Sequence, residues 1–188
     1  MQPKQPDSLA HHTTHHTMHH TTHRTPLGQL TIVTHNGALV TVGLPGQHIA
    51  PPHPQSGHTQ DTDSPLETSD PLDDSLDALL SDITRQLDEY FNGQRTTFNV
   101  NTDLSATTEF RRTVLEHLTT IPYGHTQTYA QVAQAIGRPR AVRAVGSACA
   151  TNPVPIIIPC HRVLRSDGTL GGYAGGLNMK RTLLELEQ

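Results

Sequence analysis

A proline-rich polar stretch at residues 45–71 interrupts the apolar pattern of this chain and divides it into two parts. Six prolines fall within the stretch, and most of its other residues are polar, a composition that favours an irregular linker over a helix or strand. Regular structure is therefore expected on either side of it. The chain has 188 residues, of which 34% are hydrophobic, so one domain or two small ones are expected, with part of the chain left unpacked.

The segments that flank the linker predict a small antiparallel sheet and one helix. Residues 28–35 and 38–44 are rich in β-favouring side chains, and the Asn-Gly pair between them is a strong hairpin signal. Apolar residues recur at helical spacing over 76–91, and Gly93 is placed to end that helix. Residues 98–104 are predicted to be extended.

The first 24 residues are of low complexity, with His and Thr repeated over residues 10–22, and this composition predicts a disordered tail. The alternative is a helix with every fourth histidine on one face, a spacing able to hold a metal ion, although no carboxylate or thiolate is nearby to complete the site. The histidines concerned are His11, His15, His19 and His23. We expect neither a secretory signal nor a transmembrane helix, because the chain shows no apolar run of the required length.

Beyond residue 103 the pattern predicts a mainly helical domain. Apolar residues at helical spacing mark a helix at 110–118. The sequence T-x-x-Q at 128–131 is a capping box that opens a second helix, and Pro139 suits the first position of a third helix over 139–150. Two short helices joined by a Gly-containing turn are typical of a helix-turn-helix.

Together these segments predict an α/β fold of the α+β type in three parts. A tail at 1–24 precedes an N-terminal α/β domain at 25–102, which contains the linker, and a winged-helix-like C-terminal domain at 103–188. Residues 1–102 carry four basic and eleven acidic residues, a net charge of −7, whereas residues 103–188 carry nine and six, a net charge of +3. A surface for a polyanion such as DNA is therefore expected in the C-terminal domain.

The two cysteines, Cys149 and Cys160, form no disulfide framework and match no zinc pattern, which indicates a reducing, cytoplasmic location. We interpret the apolar run at 154–158 as a buried strand that delivers Cys160 to a fixed position. The neighbouring His161 and Arg162 would stabilise its thiolate, the reactive form of cysteine. From the residues alone, a buried structural cysteine remains an alternative for Cys160, and Cys149 is expected to be a small buried residue.

The segment from Asn152 to Val163, NPVPIIIPCHRV, resembles the active-site signature of the O6-alkylguanine-DNA alkyltransferases. Residues 121–124 with 128–129 resemble the family's entry to the helix-turn-helix. Residues 143–146 resemble its recognition helix, and residues 173–177 resemble the loop that closes its alkyl pocket. These matches are in order and at family-like spacing over about residues 105–187. Residues 25–28 and 90–93 resemble less specific parts of the family's N-terminal half.

The resemblance implies a cysteine nucleophile supported by a histidine and a carboxylate. Cys160 would attack the alkyl carbon in an in-line displacement, His161 would take the thiol proton through a water, and Glu187 would orient His161. Tyr129 would help to rotate the nucleotide and would donate a hydrogen bond to the departing guanine, because an anionic leaving group is costly. Without the resemblance, Tyr129 could equally be a core aromatic.

The resemblance also implies a helix that reads DNA and a pocket for the damaged base. Arg143 would fill the place of the extruded base, the alternative being a phosphate-binding or solvated arginine. Small neighbours would let the helix approach the minor groove, where readout is degenerate, namely Ala141, Ala144, Gly146 and Ser147. The pocket is assigned to Asn152, Pro155, Val163, Tyr173, Ala174 and Gly175, and Asn152 would also brace the turn before the active-site strand.

The implied function is direct-reversal DNA repair, in which the alkyl group of O6-alkylguanine, or of O4-alkylthymine, moves irreversibly to Cys160. The expected partner is double-stranded DNA containing alkylated guanine, and we expect a monomer that binds no membrane and uses no cofactor. Some family members hold zinc in the N-terminal domain, but this chain has no cysteine there. The alternatives are an alkyltransferase-like lesion-binding protein, which lacks the reactive cysteine, a helix-turn-helix transcription factor, and a cysteine hydrolase, which needs an oxyanion hole.

Overall fold

The computed structural model describes residues 18–47, 49 and 71–188. Most of the predicted linker at 45–71 and residues 1–17 of the predicted tail lie outside these ranges. Five strands, five helices and a short 3-10 turn are found in the described residues, in the order β1 Met18–Thr25, β2 Gly28–His35, β3 Ala38–Gly43, α1 Pro71–Phe91, α2 Glu109–Leu118, β4 Gln127–Thr128, α3 Tyr129–Ala135, α4 Val142–Ala150, the 3-10 turn Cys160–Arg162, β5 Val163–Leu164 and α5 Gly176–Leu186.

The predicted hairpin is confirmed as β2 and β3 of an antiparallel sheet with the order β1-β2-β3. The turn residues Asn36 and Gly37 have φ of 49° and 74°, which are the positive values that a tight two-residue hairpin turn requires. The hairpin needs an Asn-Gly pair at this point, because asparagine and glycine tolerate this region better than other residues.

The prediction that residues 1–24 form a disordered tail is wrong for residues 18–24, which belong to β1. This strand pairs with β2 along its whole length, from Met18 opposite His35 to Thr25 opposite Gly28. Its residues alternate between exposed and half-buried, and its threonines favour extended backbone. His19 and His23 therefore lie on a strand and not on a helical face, while His11 and His15 lie outside the described residues.

The predicted amphipathic helix is confirmed as α1, whose buried side chains cover the sheet. Ile83 and Leu87 are fully buried and belong to the same core as the sheet residues Leu30 and Ile32. Gly93 has a φ of 69° and ends the helix in the left-handed conformation that glycine adopts without strain.

The segment after α1 is extended, as predicted, and it joins the edge of the sheet. The backbone N–H of Leu39 donates to Asn101 O at 2.8 Å, and that of Asp103 donates to Leu39 O at 2.9 Å. This parallel pairing leads the chain from the sheet into α2 and so connects the two halves of the molecule.

The C-terminal half contains the predicted helix-turn-helix. The side chain of Thr128 accepts from the backbone N–H of Gln131, and the Gln131 side chain accepts from the Thr128 N–H, so the predicted capping box is confirmed. The third helix begins later than predicted, at Val142 and not at Pro139. Pro139 lies instead in a turn closed by a hydrogen bond from Ala141 N to Arg138 O at 2.8 Å, a position that its fixed φ suits.

One hydrophobic core joins the sheet, α1 and the C-terminal helices. The backbone N–H of Val42 in β3 donates to Pro153 O at 2.8 Å, so the sheet directly supports the segment that precedes Cys160. The predicted α+β class is confirmed. None of the helices in the described residues is long and apolar enough to cross a membrane.

Candidate active site

The segment before Cys160 is a tight turn, so the prediction of a buried strand at 154–158 is wrong. Pro153 and Pro155 have no N–H to donate to a neighbouring strand. The chain reverses, and Ile158 N donates to Val154 O at 2.9 Å. Ile156 has a φ of 76°, a region that a β-branched residue rarely adopts. The apolar side chains are nevertheless buried, as predicted.

The side-chain amide of Asn152 forms hydrogen bonds with the backbone on both arms of this turn. Its Nδ2 donates to Ile158 O at 2.8 Å, and its Oδ1 accepts from Val154 N at 3.0 Å. The amide therefore satisfies one group on each arm of the turn. This geometry fixes the backbone two residues before Cys160.

Cys160 begins the 3-10 turn and is only 4% exposed. Burial raises the pKa of its thiol, while a hydrogen bond from Asn152 and the positive charge of Lys180 act in the opposite direction. The thiol is therefore protonated at rest. A nucleophile in this environment needs a base to remove its proton as it reacts.

His161 is fully buried, and its Nε2 lies 2.9 Å from Oε1 of Glu187. Burial lowers the pKa of the imidazole, and the hydrogen bond to Glu187 opposes that effect. An ionised carboxylate can only accept, so Nε2 carries the hydrogen and Nδ1 carries a lone pair. Nδ1 is buried and has no hydrogen-bond partner among the described residues, so it is free to accept a proton.

Glu187 accepts hydrogen bonds from four residues. Its Oε1 accepts from Tyr90 Oη at 2.6 Å and from Arg162 Nη2 at 2.8 Å, in addition to His161. Its Oε2 accepts from Arg162 Nε at 2.9 Å and from Gly124 N at 3.4 Å. Burial alone would raise the pKa of the carboxyl, but the hydrogen bonds from His161, Arg162 and Tyr90 outweigh burial and lower it to about 2.

Arg162 does not stabilise the Cys160 thiolate, contrary to our prediction. All three of its guanidinium nitrogens have other acceptors, because Nε and Nη2 donate to Glu187 and Nη1 donates to Ile121 O at 2.6 Å. The guanidinium also lies 5.9 Å from the centre of the Tyr123 ring. Arg162 therefore neutralises the buried carboxylate and ties it to the end of α2.

Lys180 is a site residue that the sequence reading missed. It is fully buried, its Nζ donates to Val163 O at 2.6 Å, and it lies 6.0 Å from the centre of the Tyr129 ring. Burial lowers the pKa of the ammonium, and the nearby Cys160 opposes that effect. A signal was present, because Lys180 and Glu187 are two helical turns apart and so share one face of α5.

Tyr129 and Tyr173 both lie close enough to Cys160 to interact with it electrostatically. Tyr129 is half-buried at the start of α3, and a Cβ at Gly171 would collide with its hydroxyl. Burial raises the pKa of Tyr129, which keeps its hydroxyl a donor. Burial and the charge of Cys160 raise the pKa of Tyr173, whose hydroxyl is buried without a hydrogen-bond partner among the described residues.

The other predicted pocket residues do not all line one cavity. Asn152, Pro155 and Ala174 line one open cleft of about 420 Å³, but Cys160, Tyr129 and Tyr173 are not part of its lining. Val163 is fully buried, and its carbonyl oxygen accepts the hydrogen bond from Lys180 Nζ. Gly175 packs closely against Met179 and Leu44, and a Cβ added there would require the Met179 side chain to shift.

The helix α4 presents small residues to solvent. Ala144 and Ser147 are exposed, as is Arg143, whereas Gly146 is half-buried and its added Cβ would reach the Tyr129 ring at 4.0 Å. Ala141 caps the helix. The other cysteine, Cys149, is buried on the opposite side of α4 as predicted, and burial raises its pKa to about 12.

Two family models match the chain. Residues 18–104 match the ribonuclease-like domain of 6-O-methylguanine DNA methyltransferase, and residues 109–188 match the DNA binding domain of the same family. The chain is 41% identical over 164 residues to the methylated-DNA–protein-cysteine methyltransferase of Mycobacterium tuberculosis, covering 87% of this chain and 88% of that protein. It is 50% identical over 107 residues to the protein of the same name from Methanosarcina barkeri, covering 57% and 67%.

Solved structures give the same result. The O6-methylguanine methyltransferase of Mycobacterium tuberculosis is similar with a TM-score of 0.71 at 38% identity, covering 91% of this chain and 93% of that one. The OGT of Mycobacterium tuberculosis in complex with DNA is similar with a TM-score of 0.70 at 40% identity, covering 88% and 90%. A structure from Pyrococcus kodakaraensis shares the fold at 23% identity, with a TM-score of 0.56 over 91% of this chain and 99% of that one.

Proposed function

The chain belongs to the 6-O-methylguanine DNA methyltransferase family, and from that premise we propose that Cys160 accepts the alkyl group of O6-alkylguanine in duplex DNA. The protein is a methylated-DNA–protein-cysteine methyltransferase that reverses alkylation damage directly. The observation that carries the assignment of Cys160 is the buried His161 beside it. Its Nε2 is held by Glu187, and its Nδ1 has no hydrogen-bond partner among the described residues.

The proposed reaction is a single displacement. Nδ1 of His161 takes the thiol proton of Cys160 through a water, and Sγ attacks the alkyl carbon. A sulfur–carbon bond forms while the bond between carbon and O6 breaks, and the electron pair leaves with guanine. Tyr129 donates a hydrogen bond to the departing base, because the burial that raises its pKa keeps it protonated.

The C-terminal domain supplies the contact with DNA. The target oxygen lies inside the base stack, so the nucleotide must be extruded before Sγ can reach it. The exposed small residues of α4 allow a close approach to the minor groove, and Arg143 is exposed at its start. We propose that Arg143 takes the place of the extruded base. Asn152 keeps Cys160 in position by bridging the turn that precedes it.

A labelled-methyl experiment tests the assignment of the acceptor. Duplex DNA carrying labelled O6-methylguanine is incubated with the wild-type protein and with two matched variants, Cys160→Ser and Cys149→Ser. The label is expected on the wild type and on Cys149→Ser but not on Cys160→Ser, because only Cys160 lies beside His161. Label on the Cys160→Ser protein would show that another residue is the acceptor.

A further inference from the structure

The carboxylate of Glu187 receives a hydrogen bond from the N-terminal half of the molecule. Tyr90, in the last turn of α1, is fully buried and donates from its hydroxyl to Oε1 at 2.6 Å. Tyr90 lies within the segment that matches the ribonuclease-like domain, whereas Glu187 lies within the DNA binding domain. The contact therefore crosses from one domain to the other.

The ring of Tyr90 is held in place by aromatic neighbours on three sides. The ring centres of Phe91, Phe98 and Tyr123 lie 5.3, 5.2 and 6.1 Å away, two of them edge-on. Edge-on contacts of this kind fix the orientation of a ring. In this position the ring directs its hydroxyl at the Glu187 carboxylate.

Tyr90 shares its acceptor with the catalytic histidine. Oε1 of Glu187 accepts from Tyr90, from Nε2 of His161 and from Nη2 of Arg162. Burial raises the pKa of Tyr90, and the charge of Glu187 raises it further, so the phenol remains a donor throughout the accessible pH range. Because the donors share the negative charge of one oxygen, each additional donor weakens the attraction of that oxygen for the remaining donors.

We propose that Tyr90 is a positioning residue for alkyl transfer, which orients the Glu187 carboxylate toward His161 and limits how strongly that carboxylate favours protonated His161. The inference rests on the proposed function, because it takes His161 as the base. The N-terminal domain then contributes to the rate of the chemical step and not only to the fold.

The expected direction of the change in the pKa of His161 follows from the groups around His161 and Glu187. His161 and Glu187 are faced by Tyr90 from α1, by Arg162 from the 3-10 turn, by Tyr123 from the loop after α2 and by Lys180 from α5. Without the Tyr90 hydroxyl, Oε1 becomes a stronger acceptor for Nε2–H and stabilises the imidazolium. The pKa of His161 then rises, and neutral His161 is lost at a higher pH than in the wild type.

The test compares Tyr90→Phe with Tyr123→Phe over a range of pH. Both changes remove one hydroxyl and keep the ring, but the hydroxyl of Tyr123 donates to Leu186 O at 2.7 Å and not to the carboxylate. Single-turnover benzyl transfer from free O6-benzylguanine is measured, since this reaction requires no base extrusion, and thermal unfolding is recorded for every variant. The acid limb of the rate profile should move to higher pH by roughly half a unit or more in Tyr90→Phe, and should stay in place in Tyr123→Phe.

Combining Tyr90→Phe with Glu187→Gln shows whether Tyr90 acts through the carboxylate. In Glu187→Gln, adding Tyr90→Phe should leave the acid limb where it is, because the charge that the hydroxyl moderates is gone. An unmoved limb in Tyr90→Phe alone, or an equal movement in Tyr123→Phe, would overturn the inference, whatever the change in melting temperature. A wild-type protein that formed no adduct would instead overturn the proposed function, and this inference with it.

Discussion

Glu187 is buried as an ion, and its stabilisation comes from protein groups rather than from water. The residue is 3% exposed, and its carboxylate accepts hydrogen bonds from Arg162, His161 and Tyr90. Removing one partner of such a network leaves a buried charge without compensation, which costs far more than the loss of a surface ion pair. The residue that we propose orients His161 should therefore also stabilise the fold.

The free energy of unfolding should decrease in two steps as the pH is lowered. The pKa of Glu187 in the folded protein, about 2, is below its ordinary value of 4.5, so its contribution is present above about pH 4.5 and is lost as the pH falls toward 2. The pKa of His161 is lowered below its ordinary value of 6.5, so its contribution begins to be lost as the pH falls below that value. Both shifts make the unfolded state bind protons first.

Glu187→Gln should lower the free energy of unfolding at pH 7 by about 3 kcal/mol, since it leaves Arg162 buried without its anion. Urea denaturation across pH 2–7 measures this. The variant should also lose the part of the pH dependence below pH 4.5, while the part due to His161 is retained. A variant with the same acid sensitivity as the wild type would contradict the role given to this carboxyl.

The roles of single residues could be assigned from the sequence where those residues lie in a recognisable motif. Cys160, His161 and Glu187 were assigned through the family resemblance, and in the structure His161, which directly follows Cys160, is hydrogen-bonded to Glu187. Tyr90 and Lys180 were not assigned, because a tyrosine on an amphipathic helix and a lysine on a polar helix suggest packing and solvation. The contact of Tyr90 with Glu187 joins segments distant in the chain, which no local pattern contains, whereas the spacing of Lys180 from Glu187 was a signal that the sequence offered.

The turn before Cys160 is the element on which the geometry of the site depends. Asn152→Ala removes both hydrogen bonds that close this turn and leaves Ile158 O without its side-chain donor. We expect the free energy of unfolding to fall by about 2 kcal/mol or more, and benzyl transfer from free O6-benzylguanine to slow by about tenfold or more. Asn178→Ala, at an exposed position of α5, is the matched control. Equal rates in the two variants would show that the turn holds its shape without Asn152.

The helix-turn-helix gives a prediction that separates DNA handling from chemistry. Arg143→Ala should slow repair of O6-methylguanine in duplex DNA by about tenfold or more, because an extruded base leaves a gap that must be filled. Transfer from free O6-benzylguanine, which needs no extrusion, should change by less than about twofold. Arg85→Ala, on α1, serves as the control. A loss of the same size on both substrates would indicate that Arg143 supports the pocket.

Elements were predicted well where side-chain periodicity and end signals agreed, as in β2, β3, α1 and α3. The failures have physical causes. Residues 154–158 are apolar and β-favouring, but the prolines at 153 and 155 and the amide of Asn152 favour a turn. The strand β1 was missed because its burial pattern involves His and Thr in place of apolar residues. The pairing with β2 that stabilises it lies outside its own sequence.

At the scale of the whole molecule, the two matched domains are chemically different and structurally joined. The net positive charge lies after residue 103, in the part that contains α4, and the N-terminal half is acidic. The halves share one core, the backbone bond from Val42 to Pro153 and the hydrogen bond from Tyr90 to Glu187. Charge therefore favours DNA contact through the C-terminal domain, while the N-terminal domain contacts Glu187 through Tyr90.

The stoichiometry of the reaction tests alkyl transfer to Cys160 most directly. A thioether at Cys160 has no leaving group that water can displace under mild conditions, so each protein molecule should repair one lesion and then stop. Intact-mass spectrometry after incubation with excess O6-methylguanine duplex should show a gain of one methyl group per chain, mapped to the peptide that contains Cys160, with an equal amount of guanine restored in the DNA. More than one repaired lesion per protein molecule, or a methyl group mapped to Cys149, would contradict the mechanism.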